Sequence, residues 1–129
     1  MCGLFDTCPP THAQILEAMQ FTGRLNPPPI VMMVDPSDLS PPSYAGAHSK
    51  AEPDGEYDEW PNAILLTWNW SMTVLVHEMR HAYQKQEHKE LDECDAYSYG
   101  IKYALKHNQY RDARWQKQQY YALHCKGTP

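Results

Sequence analysis

The sequence lacks several features that would place it at once in a large class of proteins. No apolar run approaches the roughly 18 residues of a membrane-spanning helix, so we expect no membrane partner. No block of Lys or Arg exceeds two residues and the net charge is −5, so we expect no nucleic-acid partner. The opening stretch MCGLFDTCPP has neither a basic start nor an apolar core, so we expect no secretory signal and a cytoplasmic location.

The four cysteines also lack the spacing of a common metal site. They are Cys2, Cys8, Cys94 and Cys125, and none of them forms a CxxC pair, which argues against a zinc ribbon. In a reducing compartment the simplest state is four free thiols. A bridge between Cys2 and Cys8, or a second metal held by the terminal cysteines, stays open as an alternative.

The order of apolar patterns predicts the fold class. A chain of 129 residues suits one domain, residues 1–129, with one modest core. The apolar spacing predicts, in chain order, a helix over 11–21, strands over 30–34 and 62–68, and helices over 70–87, 91–107 and 110–124. Residues 44–49 predict a further strand, and the acidic remainder of 35–61 predicts a solvated turn. The expected fold is α+β, a short antiparallel or mixed sheet of two to three strands packed on helices.

The predicted helix over 70–87 contains residues with the spacing of a metal site. Residues 74–84 read VLVHEMRHAYQ, with His77 and His81 four residues apart and Glu78 directly after the first histidine. Residues four apart share a helix face, so both imidazoles can point at one metal ion. Glu78 lies about 100° around the helix axis from His77, close enough to take a proton from a water on that ion. HExxH is a signature of zinc metalloproteases, and the apolar MTVLV ahead of it predicts a half-buried site.

A third metal ligand is expected from the segment after the motif. Residues 91–97, LDECDAY, place acids at the start of the next helix, and a short turn around 88–90 would fold that helix back. Glu93 can then complete a site of two histidines and one glutamate, with an open position for water. The rival ligands are Glu90, Asp92 and Asp95.

Three further side chains have expected roles near such a site. Asp95 is better suited to orienting a ligand imidazole than to binding the metal. Tyr97 lies one turn beyond Glu93 and can donate a hydrogen bond in the pocket. Arg80 points away from the metal if the histidines face it, and pairing with an acid of 52–59 or binding substrate are both open. Two imidazoles and one carboxylate suit zinc.

The pairing of HEMRHAYQ with ECDAYSYG resembles the compact gluzincin-like metallopeptidases. These share an HExxH helix followed by a second helix that opens with E-x-[DE]-A. The chain is similar to the ImmA/IrrE group of bacteria and phages, and closer still to small proteins, several of them phage-encoded, with HExRHxxQ and E-x-D-A-Y. The resemblance covers roughly residues 44–107 and implies a small zincin-like fold. It also implies the zinc ligands His77, His81 and Glu93, with Glu78 as the general base.

The resemblance implies a function and a place for the substrate. A strand edge over 63–67 would accept an extended peptide as another strand. Arg80 stands where many such peptidases have Gly, and no downstream His or Tyr is assigned as an oxyanion stabiliser. We therefore expect a zinc metallopeptidase, in the cytoplasm or, if phage-encoded, in the virion. The alternatives are a non-catalytic, zinc-stabilised structural or adaptor protein of a phage or other assembly, and an anti-repressor-type regulatory module that binds a protein partner.

Overall fold

The computed structural model describes residues 8–39 and 54–129. Within these residues the chain forms four α-helices and a three-stranded mixed sheet, which confirms the predicted α+β class. The elements are α1 (His12–Thr22), β1 (Ile30–Met33), a 3-10 turn (Pro36–Asp38), β2 (Gly55–Asp58), β3 (Ala63–Leu66), α2 (Met72–Gln86), α3 (Glu93–Lys106) and α4 (Tyr110–Ala122). None of these described helices combines the length and apolar character that crossing a bilayer requires. The strand predicted over 44–49 lies outside the described residues.

The helices begin where polar side chains satisfy the first backbone amides. The Thr11 hydroxyl accepts from the N–H of Gln14 at 3.1 Å, and the Gln14 side chain accepts from the N–H of Thr11 at 2.8 Å, which makes a capping box at α1. Ser71 caps α2 and Asp92 caps α3 in the simpler way, through one side-chain oxygen each. Because Asp92 directly precedes Glu93, this cap fixes where the Glu93 side chain leaves the backbone.

The sheet has the strand order β1-β3-β2, with β1 parallel and β2 antiparallel to β3. The prediction of an open strand edge over 63–67 is therefore wrong, because β3 is paired on both sides. The prediction of a solvated turn for the acidic remainder of 35–61 is also wrong over 55–58, since β2 lies there and Tyr57 is only 3% exposed. Because Glu56 and Asp58 are charged, the sequence did not predict a strand here, although the Tyr57 side chain between them points to the core.

Among the described strands β1 lies at an edge of the sheet, whereas the apolar run over 30–34 predicts a buried strand. Ile30 is 60% exposed and Met32 is 47% exposed. Val31 and Met33 pack against the core from the other face. The run is apolar throughout, so its sequence does not reveal that the described elements cover only one of its two faces.

The main core lies between one face of the sheet and α2. Ile64 and Leu66 of β3 pack with Leu75, Val76 and Met79 of α2, and all five side chains are fully buried. A second, smaller cluster joins α3 to α4 through Tyr97, Ile101 and Tyr120. Burying one such aliphatic side chain contributes about 1.5–3 kcal/mol. The helix that carries the motif is thus held by the core on one side and by α3 on the other.

A disulfide joins Cys94 at the start of α3 to Cys125 after α4, across a sequence separation of 31. Their Cα atoms are 5.6 Å apart. Cys8 is disulfide-bonded as well. The expectation of free thiols is therefore wrong for every cysteine in the described residues. The spacing of the cysteines could not show this, because the packing of α4 on α3 is what brings Cys125 to Cys94.

Candidate metal centre

Three polar side chains of α2 are completely buried in an otherwise apolar part of the helix. His77, Glu78 and His81 have no exposed surface, and one potential ligand atom from each lies within 4.8 Å of the other two. Polar and charged groups are costly to bury without hydrogen bonds, ion pairs or a metal ion. The three residues form a group that could hold a metal ion, and they are more deeply buried than the half-buried site that the sequence predicts.

Glu93 reaches the two imidazoles from the first turn of α3. Its Oε1 lies 2.9 Å from Nε2 of His77 and 2.5 Å from Nε2 of His81. One oxygen of the Glu93 carboxylate therefore contacts the Nε2 atoms of both histidines. The Glu93 side chain is 17% exposed whereas both histidines are fully buried, so solvent approaches this point from the Glu93 side.

A tight turn after α2 brings Glu93 to this position, as the sequence predicts. The N–H of His88 donates to the carbonyl of Lys85 at 3.0 Å, and the N–H of Lys89 donates to the carbonyl of Gln84 at 2.9 Å. His88 has a φ of 58°, the left-handed conformation that ends many helices. The chain reverses here, and α3 packs back against α2.

The three rival acids of this segment have other roles. Asp92 Oδ1 accepts from the N–H of Asp95 at 3.2 Å and starts α3. The carboxylate of Asp95 accepts from Arg80 at 2.6 Å. Glu90 is exposed in the turn. Of the four candidate acids, Glu93 is the one that the structure brings into contact with both histidines.

Asp95 is linked to the imidazole of His81 through Gln84. Its Oδ2 accepts from Nε2 of Gln84 at 2.9 Å, and Oε1 of Gln84 lies 2.9 Å from Nδ1 of His81. Sequence reasoning assigned no role to Gln84, although it is the last residue of the HExRHxxQ pattern. Its position, three residues after His81 and therefore on the same helix face, is the signal for that role.

Arg80 points away from the histidines as predicted, but its partner is not an acid of 52–59. Its Nε donates to Asp95 at 2.6 Å, and its guanidinium carbon lies 4.4 Å from the ring centroid of Tyr83 and 3.9 Å from that of Tyr99. Burial of Asp95 raises the pKa of its carboxyl, but hydrogen bonds, first that from Arg80, outweigh burial and hold this pKa below its usual value. Asp95 is therefore kept ionised next to the site.

The backbone of β2 comes very close to α2 at Glu78. A Cβ atom added to Gly55 would lie 2.7 Å from Cγ1 of Val74 and 3.3 Å from Cγ of Glu78. Position 55 has no room for a side chain unless the helix or the strand shifts. The strand that borders Glu78 is therefore β2, which the sequence did not predict.

Tyr97 is fully buried next to His77. The two ring centroids are 4.4 Å apart with the rings at 65°, an edge-to-face arrangement. Trp115 of α4 packs on Tyr97 at a centroid distance of 6.5 Å. Tyr97 therefore belongs to the site by ring packing, and the hydrogen bond expected from its hydroxyl stays a prediction.

A cleft of about 450 Å³ opens between the first turn of α2 and α4. Its walls include Val74, which lies one helical turn before Glu78, and Trp115, which packs on Tyr97. This volume is within the range of about 300–1,000 Å³ that small-ligand sites occupy. His77, Glu78, His81 and Glu93 are not among the residues that line the cleft.

Arg80, Gln84 and Asp95 form one hydrogen-bonded set that reaches the HExxH motif at His81. Comparisons of the chain with known protein families, with curated proteins and with solved structures found no match. Support for a function therefore comes from the motif residues and from the geometry around them.

Proposed function

We propose that the protein is a zinc-dependent metallopeptidase. The observation that carries the proposal is the contact of Glu93 Oε1 with Nε2 of His77 and Nε2 of His81, at 2.9 and 2.5 Å. A carboxylate oxygen of Glu78 lies within 4.8 Å of a ring nitrogen of each histidine. Two imidazoles and one carboxylate, with a second carboxylate beside them, are a donor set typical of catalytic zinc.

The donor atoms fit a zinc ion in kind and in arrangement. Zinc takes imidazole nitrogen at about 2.0–2.1 Å and carboxylate oxygen at about 2.0–2.2 Å. Bonds of this length hold ligand atoms a little farther apart than the two observed N–O distances, so Glu93 would withdraw slightly as the ion enters. The partial exposure of Glu93 allows that movement, whereas the buried histidines are fixed by the surrounding packing.

Each residue then has a defined part in peptide hydrolysis. A bound zinc ion supplies a Lewis acid and lowers the pKa of a coordinated water to about 7. Glu78 would accept a proton at its carboxylate and return it to the nitrogen of the leaving amine. His77, His81 and Glu93 would hold the ion, and Tyr97 would keep the His77 ring in place. The apolar surroundings strengthen all of these electrostatic contacts.

The substrate that this site suits is an extended protein segment. Within the described residues β2 pairs with β3 along one edge, and its Gly55 lies against Glu78. A peptide added along the other edge of β2 would carry its carbonyl groups past the Glu78 carboxylate. This proposal moves the substrate strand from the predicted edge over 63–67 to β2.

Two matched variants test the proposal. Purified protein is loaded with zinc, the metal is measured by elemental analysis, and cleavage of a labelled unfolded protein is followed by fluorescence. We expect Glu78→Gln to retain zinc and to lose at least about 100-fold in rate, which is what a general base contributes. We expect Glu93→Gln to lose zinc, because a neutral amide is a poor substitute for a carboxylate ligand.

Three results would contradict the peptidase. They are unchanged cleavage by Glu78→Gln, full zinc retention by Glu93→Gln, and a zinc-loaded wild type that cleaves no unfolded protein at all. The third result would leave the metal site itself intact.

The complete burial of the histidines favours a second candidate, a zinc site that serves folding. His77, Glu78 and His81 have no exposed surface, and closed sites are typical of structural zinc. In that case zinc binding would contribute directly to the free energy of folding. Chelation would then unfold the chain, and Glu78→Gln would change neither zinc content nor any hydrolysis.

A further inference from the structure

Both the NH₂ group and the oxygen of the Gln84 side chain form hydrogen bonds with groups near the candidate metal centre. The side chain is 2% exposed. Its Nε2 donates to the carbonyl of Asp92 at 3.0 Å and to Oδ2 of Asp95 at 2.9 Å. Its Oε1 accepts from the N–H of Asp92 at 2.8 Å and lies 2.9 Å from Nδ1 of His81.

The chemistry of these partners fixes the direction of the amide. A carbonyl and a carboxylate can only accept, so the NH₂ group of Gln84 faces them, and the backbone N–H of Asp92 can only donate, so the oxygen faces that. The same oxygen faces His81, and it can only accept. Nδ1 of His81 therefore carries a proton, which leaves Nε2, the nitrogen that faces Glu93, to bind a metal.

The same amide also places Glu93. Gln84 binds both the N–H and the carbonyl of Asp92, which is the residue directly before Glu93. The direction of the His81 ring and the start of the helix that carries Glu93 are thus set by one side chain. The contact of Glu93 Oε1 with Nε2 of His81 at 2.5 Å follows from this shared support.

Asp95 and Arg80 hold Gln84 in turn. Oδ2 of Asp95 accepts from Nε of Arg80 at 2.6 Å as well as from Gln84. Nη1 of Arg80 donates to the carbonyl of Thr22 at 2.5 Å, at the end of α1. The hydrogen-bonded chain therefore runs from α1 through α3 to the ring of His81.

We propose that Gln84 is a positioning residue of the metal centre, which holds His81 with its proton on Nδ1 and aligns Glu93 with Nε2. This inference rests on the metal site of the proposed function and does not depend on peptide hydrolysis. Loss of such an outer partner typically weakens metal binding by about 10–100-fold. We expect that loss for Gln84→Met, because methionine fills a similar volume and lacks the amide.

Gln86→Met is the matched control. Gln86 lies on the same helix and also ties it to another segment, donating to the carbonyl of Arg24 at 2.5 Å and accepting from the N–H of Asn26 at 2.5 Å. Its loss weakens packing without touching the metal centre. Cobalt is titrated into both variants, because its visible spectrum reports ligand geometry. We expect weaker binding and an altered spectrum for Gln84→Met, and a spectrum and affinity like the wild type for Gln86→Met.

A measurement on the metal-free wild type requires no variant. Nitrogen-15 NMR of the imidazoles should show the His81 proton on Nδ1. The same measurement on Gln84→Met, which places no oxygen opposite His81, should show that the proton is no longer held on Nδ1. A His81 ring protonated on Nε2 alone, or equal cobalt affinity in Gln84→Met and Gln86→Met, would overturn the proposal. These readouts are independent of cleavage, so an inactive protein with the expected NMR and cobalt results would refute the peptidase and leave the role of Gln84 standing.

Discussion

Removing the disulfide between Cys94 and Cys125 tests how the start of α3 is held. The bond closes a loop across a sequence separation of 31. For a loop of that length the chain-entropy relation gives a stabilisation of about 3.7 kcal/mol at 25 °C. The total free energy of unfolding of a small domain is about 5–15 kcal/mol. The double variant Cys94→Ala/Cys125→Ala should therefore lose a substantial part of its free energy of unfolding.

Urea denaturation of the wild type and the double variant, without reductant, measures this loss. The same titration with and without zinc shows whether the site is affected, and we expect the zinc-dependent gain in stability to shrink because Glu93 directly precedes Cys94. A loss below about 1 kcal/mol, well under the loop-closure value, would refute the reasoning.

Two further predictions concern β2. Gly55→Ala should lower the free energy of unfolding by about 1–3 kcal/mol, because the new methyl would lie 2.7 Å from Val74 and 3.3 Å from Glu78; an unchanged urea midpoint would contradict the close approach. The pKa of Tyr57 is raised to about 12, first by burial and then by the charges of Glu59 and Asp58. Because a tyrosine in the unfolded chain loses its proton near pH ~10, the free energy of unfolding should fall as the pH rises from about 10 towards about 12. Tyr57→Phe should lose less free energy of unfolding than the wild type over this pH range. The same pH dependence of the free energy of unfolding in both proteins would argue against the raised pKa of Tyr57.

The parts of the site that the sequence predicts are those set within one helix or one short turn. The spacing of His77, Glu78 and His81 follows from 3.6 residues per turn, and the structure buries the three together. Glu93 was also accessible to sequence reasoning, because only a few residues separate it from the motif helix. The short turn leaves α3 little choice but to pack back on α2.

The parts that sequence reasoning missed depend on how separate elements meet. Gln84 lies between His81 and Asp95 because of the particular way in which α3 packs on α2. β2 was missed because Tyr57, whose side chain points to the core, lies between Glu56 and Asp58. An acidic pattern of this kind predicts a solvated turn. The bond from Cys94 to Cys125 depends on the packing of α4 on α3. No local pattern in the sequence predicts these three features.

The place of β2 beside the motif helix depends on the absence of a side chain at position 55. A Cβ atom there would meet the side chains of Val74 and Glu78, so the packing of the strand and the position of the Glu78 side chain depend on each other. A substitution at a strand position that carries no reactive group of its own would thus disturb the carboxylate of the HExxH motif.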